Sequence, residues 1–391
     1  MQPGLLGPGL LGPSLLWSSL LWSSLLGSRL LRSGLSRRRF LTSAAAGLSS
    51  AAMAALAQAQ SAIEPPAKPL PPAPVSVTAP VAIEVNARPI PSFDPRDRSH
   101  VRFGSLQYRS GLVLTSPFPG FGGLSGLRLD RKGERFISFS DKGNWFTGRI
   151  VYRNTEMTGL ADVEAAPMLG PDGRPITARG WYDSESIAID GSQIYDSRVY
   201  IGLERVNQVL RFDFSKGFTR SLGEVVPMPL AVKKLPFNKG LEALVFVPGG
   251  MPLAGTLIAL SERGLDANGN LVAFLVGGPS PGQFSVRRTE KFDISDATLL
   301  ASGELLVLER KFSLVEGLNV RIRSIALKSL APGALVDGPV IFEADLGEEI
   351  DNMEGIDAFV TPQGETVLTM VSDDNFSLIQ RTLLLQFVLV D

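Results

Sequence analysis

Cysteine is absent from all 391 residues. A disulfide framework, a thiolate metal site and a cysteine nucleophile are therefore excluded. Histidine is nearly absent: His100 is the one copy. That rules out histidine-rich zinc sites and forces any Ser-His-Asp arrangement through a single residue, which reads better as a packing or surface group. Charge of one sign is not in excess either, with 38 Lys plus Arg against 39 Asp plus Glu. Such a balance argues against nucleic acid as a partner and against an acidic disordered chain. No apolar run reads as a stable membrane span of ~20 residues, because Pro, Gly and Ser break the Leu-rich first 35 residues. What is plentiful is Gly (40) and Pro (28), the composition of a fold with many turns.

Ser36–Leu41 fits the twin-arginine export pattern, and an Ala- and Ser-rich apolar stretch follows to Ala57. Small-residue exits at Ala55–Ala57 and Ala57–Ala59 complete a removable targeting segment. Ten prolines between residues 64 and 95 favour an extended tether. The expected layout is a signal region at 1–59, a Pro-rich linker at 60–96 and a folded domain at 97–391. It implies a twin-arginine translocase partner during export and a periplasmic or secreted product.

Five segments of the folded part share one plan: a small or acidic residue opens a short apolar strand, a turn follows, and a second apolar strand ends in an acid. They begin at Gly123, Asp183, Lys239, Ile294 and Asn352, and their second strands end at Asp141-Lys142, Glu204-Arg205, Glu262-Arg263, Glu309-Arg310 and Asp373-Asp374. Two further strand-like runs fill most intervals. Repeats about 54 to 61 residues apart, with four short strands each, predict an all-β fold. The expected architecture is a β-propeller of about five four-stranded blades, or six if the long first unit holds another. The last unit has three strands, so an N-terminal strand near His100–Tyr108 is expected to supply the fourth and close the ring.

Propeller geometry brings equivalent residues of successive blades to one channel mouth. It would gather Asp141, Glu185, Glu204, Glu242, Glu262, Asp296, Glu309, Glu354, Asp373 and Asp374, which cannot all stay ionised at close range without cations. Those cations come either from Arg205, Arg263, Arg310, Lys142 and Lys239, paired across blades, or from a metal ion. With no Cys and one His, oxygen-bound Ca²⁺ or Mg²⁺ is the metal class the composition favours; Ca²⁺ is the expected ion, with Asp141, Glu185, Glu242, Glu354, Asp373 and Asp374 as candidate ligands. Lys142, Lys239 and Trp145 are candidate substrate contacts. The Asp266–Asn270 stretch reads as a polar hairpin turn, and the glycine-rich Gly120–Gly123 lacks the strand-to-helix setting of a phosphate loop.

Phe121–Leu127, Phe139–Gly143, Asp183–Ile187, Leu203–Arg205, Lys239–Ala243 and Asn352–Ile356 together resemble the phytase-like, or "esterase-like activity of phytase", family, over roughly residues 100–390. The resemblance implies a propeller that hydrolyses phosphoesters or esters, with metal at a carboxylate-lined mouth. On that reading Glu204, Glu262 and Glu309 and their neighbours Arg205, Arg263 and Arg310 form the catalytic set, acting on a small (phospho)ester. The alternative is a non-catalytic propeller that binds a ligand or protein outside the cytoplasm.

Overall fold

The computed structural model describes residues 77–181, 183–191 and 193–390. The signal region and much of the expected linker lie outside the described residues. Antiparallel strands form five small sheets, and the described residues contain 3₁₀ turns but no α-helix. The fold is a five-bladed β-propeller.

Blade I holds strands 124–129, 135–140, 144–153 and 156–167; blade II holds 184–190, 198–203, 208–213 and 224–226. Blade III is built from 241–246, 256–265, 271–277 and 282–286, and blade IV from 293–299, 304–313, 317–326 and 340–345. Blade V takes 352–360, 366–373 and 382–389 from the C-terminal end of the chain and 106–115 from the N-terminal side. Thr382 to Leu389 pair antiparallel with Leu114 to Leu106, so the first blade strand and the last fasten the ring. Each inner strand remains the edge of its own sheet, and closure shelters those edges inside the ring. Residues expected in the linker also join the sheets: Val81–Ala82 adds to blade I and Asn86–Ile90 to blade V.

The five innermost strands contact one another in a closed circle, I to II to III to IV to V and back to I. Five apolar cores lie between successive blades, as where Leu305, Val307, Ile258 and Leu260 pack together between III and IV. Strands sandwiched on both faces read as continuous apolar runs such as Leu305–Leu308 rather than alternating ones. Where the ring closes, the inner strands of V and I approach so tightly that a Cβ on Gly355 would sit 2.9 Å from the Leu127 backbone nitrogen. Only glycine permits that approach.

Candidate active site at the channel mouth

Every inner strand starts at the same end of the ring, and every one carries a β-bulge at its second or third residue. The extra residues are Ser125, Glu185, Glu242, Ser295 and Glu354 in blades I to V. A bulge re-aims a side chain that the pleat would otherwise bury between sheets. In three blades the re-aimed residue is glutamate. A second ring comes from the residue that follows, on each second strand, the partner of the residue preceding the bulge: Asp141, Glu204, Glu262, Arg310 and Asp373. The Asp141, Glu204 and Glu262 amides donate to the Gly123, Asp183 and Gly240 carbonyls at 3.0, 2.8 and 2.8 Å, which fixes three of these positions as equivalent. Blade IV therefore places a cation where its four sisters place a carboxylate.

The mouth thus combines Asp141, Asp183, Glu185, Glu204, Glu242, Glu262, Glu354 and Asp373 with Lys142, Lys239 and Arg310. Eight carboxylates face three fixed cations, and the surplus must be met by protons or by another cation. One oxygen from each of Glu204, Glu242 and Glu262 lies within 4.8 Å of the other two. The Lys239 ammonium donates to both Glu262 oxygens at 2.9 and 2.7 Å, and the Gly240 amide donates to Glu204 Oε1 at 2.7 Å. Arg310 is bound to Glu354 and Asn352, with Glu262 Oε1 3.9 Å away. Asn352 Nδ2 also donates to Glu354 Oε1 at 2.7 Å.

Burial, reinforced by neighbouring carboxylates, pushes Glu185, Glu242 and Asp373 well above the usual carboxylate range. Glu204 is pushed up to about 7, chiefly by burial, against the stabilising Gly240 N–H bond. Asp141 and Asp183 are raised for the same first reason. Arg310 remains firmly protonated: burial works against its charge, but Glu354, Glu242 and Glu262 outweigh it.

Below this mouth the channel is plugged. Arg128, three residues beyond the blade I bulge, donates to Asp296 at 2.7 and 2.9 Å. Its remaining bonds reach the carbonyls of Leu127, Leu244, Ala297 and Ile356, in blades I, III, IV and V. Asp296 also accepts from the Ile356 amide at 2.9 Å. On the far side of the plug lies a cavity of about 210 Å³ lined by all five blades, with Thr298, Asp357 and Arg131 among its polar groups.

The structure separates the expected residues. Asp141, Glu185, Glu204, Glu242, Glu262, Glu354, Asp373, Lys142, Lys239 and Arg310 stand around the mouth, while Arg205 follows Glu204 in a short 3₁₀ turn. Arg263 is at the rim, tied to Asp293. Glu309 is a correction: the repeated Glu-Arg pair is offset by one residue in blade IV, so Glu309 matches Ser140, Leu203, Ser261 and Ser372 and turns away from the channel. It is fully buried between Arg321 (2.7 Å) and Arg323 (2.8 Å). Trp145 is a second correction, packed edge-on against Phe212 and Phe214 in the core between blades I and II, not on a binding surface. Asp374 organises its loop, with its oxygens taken by the Gly123 and Phe376 amides at 2.9 and 3.0 Å and the Thr382 hydroxyl at 2.9 Å. Asp296, expected at the mouth, belongs to the plug. Sequence reading missed Arg128, Asp183 and the bulge serines; aligning blades by the bulge rather than by Glu-Arg would have found them.

A five-bladed propeller with a carboxylate-ringed, cation-studded mouth is the class defined by these observations. The family model described as phytase-like, "esterase-like activity of phytase", matches residues 119–376, well over half the chain. The chain belongs to the phytase-like family. No curated protein matches it. Among solved structures, similarity is found to the Myceliophteria thermophila Cps50 (Swd1) β-propeller domain at 11% identity and TM-score 0.32, covering 65% of this chain and 66% of that one. Dihydro-heme d1 dehydrogenase NirN, in complex with DHE, matches at 12% identity and TM-score 0.31, over 79% of this chain and 53% of that one. U3-55K matches at 11% identity and TM-score 0.35, over 69% and 96%.

Proposed function

We propose that this phytase-like propeller is an exported hydrolase that cuts a small phosphoester or ester at the acidic mouth, assisted by a divalent cation. The observation that carries the reading is the trio of Glu204, Glu242 and Glu262. Carboxylate oxygens within 4.8 Å of one another suit a Ca²⁺ ion whose ligands stand 2.3–2.6 Å from it. The donor set is all oxygen, and Asp141 Oδ1 is buried without a hydrogen-bond partner. The residues fit such an ion, with Glu204, Glu242 and Glu262 holding it and Asp141, Glu185, Glu354 and Asp373 as further donors. A bound ion there would neutralise phosphate charge and acidify a water.

The chain's own groups have distinct tasks. Arg310 presents a planar fork suited to phosphate oxygens, with Lys239 and Lys142 as point charges. Arg310 is held in place by Glu354 and Asn352, so its positioning is settled before substrate arrives. Glu204, pushed up to about 7, can take or give a proton at its carboxyl near neutral pH. Turnover of p-nitrophenyl phosphate, p-nitrophenyl acetate or phytate with Ca²⁺, lost in Glu242→Gln, is the expected result; equal rates in parent and variant would remove the proposal. Export is tested separately, by replacing Arg37 and Arg38 with Lys and assaying the extracytoplasmic fraction.

A second reading is supported by Lys239 and Arg310, which already occupy Glu262 and Glu354. A mouth satisfied by its own cations needs no metal and suits a binding propeller. Calorimetry giving tight ligand association with no product would favour it.

A further inference from the structure

The channel has a second chamber, shut off from the mouth by the Arg128–Asp296 plug and open at the far face, where Arg131, Gln193 and Pro248 are exposed. Its walls come from the inner strands beyond the plug. Three residues past each bulge they supply Arg128, Ala188, Val245, Thr298 and Asp357 in blades I to V. The small side chains of Ala188 and, one residue beyond Asp357, of Ala358 leave a space of about 210 Å³. An apolar cavity of ~150 Å³ already holds a benzene ring. Asp357 is half-buried and lines this space. It accepts the Leu129 amide at 2.6 Å on Oδ2 and the Thr298 hydroxyl at 2.9 Å on Oδ1, and a carboxylate offers about four such sites. Arg128, on the chamber floor, gives its terminal nitrogens to both oxygens of Asp296 and to four carbonyls. Among the described residues Asp357 therefore has no ion-pair partner.

We infer that this far chamber binds a small primary ammonium compound with an apolar body, its nitrogen held at Asp357. The charge count favours a cation, since lining and plug together hold Asp130, Asp296 and Asp357 against Arg128 and Arg131. Loss of water around Asp357 pushes its carboxyl above the usual range, with Arg128 working the other way, so a ligand cation would take the place of a proton. Lys132, Glu134 and Arg135 stand farther out on the exposed first hairpin of blade I, where solvent and salt screen them. A bare metal ion is the poorer match. Ca²⁺ takes about six to eight oxygens, whereas the walls around this one carboxylate are Ala188, Val245, Phe246 and Leu299. An ammonium group donates to the open carboxylate sites while its hydrocarbon lies against those walls.

Benzylamine and benzyl alcohol share a shape and differ in charge at neutral pH. Ligand-detected NMR titrations of both with the full-length protein should give the amine roughly tenfold or more the affinity of the alcohol. Asp357→Asn should bring the two within about twofold of each other. Ala358→Leu keeps the carboxylate and fills the chamber, so both ligands should bind roughly tenfold or more weakly. Glu242→Gln, at the mouth, should bind the amine as the parent does. Melting curves establish that each variant is folded, and Ala358→Leu decides the outcome if Asp357→Asn is not. No binding to the parent, or equal affinity for amine and alcohol, overturns the inference. So does amine binding undiminished in Ala358→Leu, or lost in Glu242→Gln while Asp357→Asn keeps it. None of these readouts depends on catalysis, so the amine inference and the hydrolase proposal fail separately.

Discussion

Glu204→Gln isolates the electrostatic cost of the mouth. In the folded protein the Glu204 carboxyl titrates near 7 rather than at its ordinary 4.5, because it is buried and faces Glu262. The folded state therefore keeps a proton that the unfolded chain surrenders between those two values. A carboxyl raised in this way favours folding at low pH, and its stabilising proton is lost as pH climbs from about 4.5 to about 7. A displacement of ~2.5 pH units corresponds to about 3 kcal/mol between the ends of that window. Because Glu204, Glu242 and Glu262 lie together, the titration observed belongs to the trio. Glutamine keeps an acceptor for the Gly240 amide, spaced at 2.7 Å, and removes the ionisation. Urea unfolding in EDTA, repeated from pH 4.5 to 8, should show the parent losing about 3 kcal/mol more than the variant across the window, the loss common to both coming from Glu185, Glu242 and Asp373. At pH 8 the variant should be the more stable protein. A parent curve flat in pH, or a variant less stable than its parent at pH 8, would refute the buried-carboxylate account.

Removing Arg128 as Arg128→Met should cost about 3–5 kcal/mol, because Asp296 is left charged and buried; the companion Arg128→Met/Asp296→Leu should recover much of it. Chemical denaturation of all three proteins measures this. Glu309→Gln should likewise destabilise by several kcal/mol, since Arg321 and Arg323 lose their shared partner, yet leave cation binding at the mouth intact by calorimetry. Trp145→Ala should cost about 3–5 kcal/mol as a core cavity and leave the KM of any substrate unchanged, whereas contact with substrate would raise it. Calcium titrated into the parent should release protons near pH 6.5, seen as buffer-dependent heat, and Glu204→Gln should reduce that release.

The repeat spacing, the apolar strand pairs and the missing last strand were enough to derive a closed propeller of about five blades from sequence, and the structure decided five over six. Blade formation is a matter of local pattern: short apolar runs, Gly turns and a period near the length of four strands. The closing strand was expected around His100–Tyr108 and is Leu106–Thr115, because pairing register depends on which residues meet Thr382–Leu389 across the sheet. Likewise 81–90 looked like tether, since the surrounding prolines and its own Pro89 conceal that Asn86–Ile90 fills an outer edge where a missing backbone donor is tolerated.

What the sequence determined by itself was the inventory: oxygen donors, fixed cations, no thiol and one imidazole, repeated at strand ends. What only the tertiary structure decided was the direction of each side chain. In a strand a one-residue offset reverses the face, so Glu309 and Arg310 exchanged the places their repeated dipeptide suggested. Bulges at Glu185, Glu242 and Glu354 then turned those three carboxylates toward the axis. The Arg128–Asp296 plug joins residues 168 positions apart in the chain, a pairing that local pattern does not encode. Chemistry was written along the strand, and convergence arose only when the ring closed.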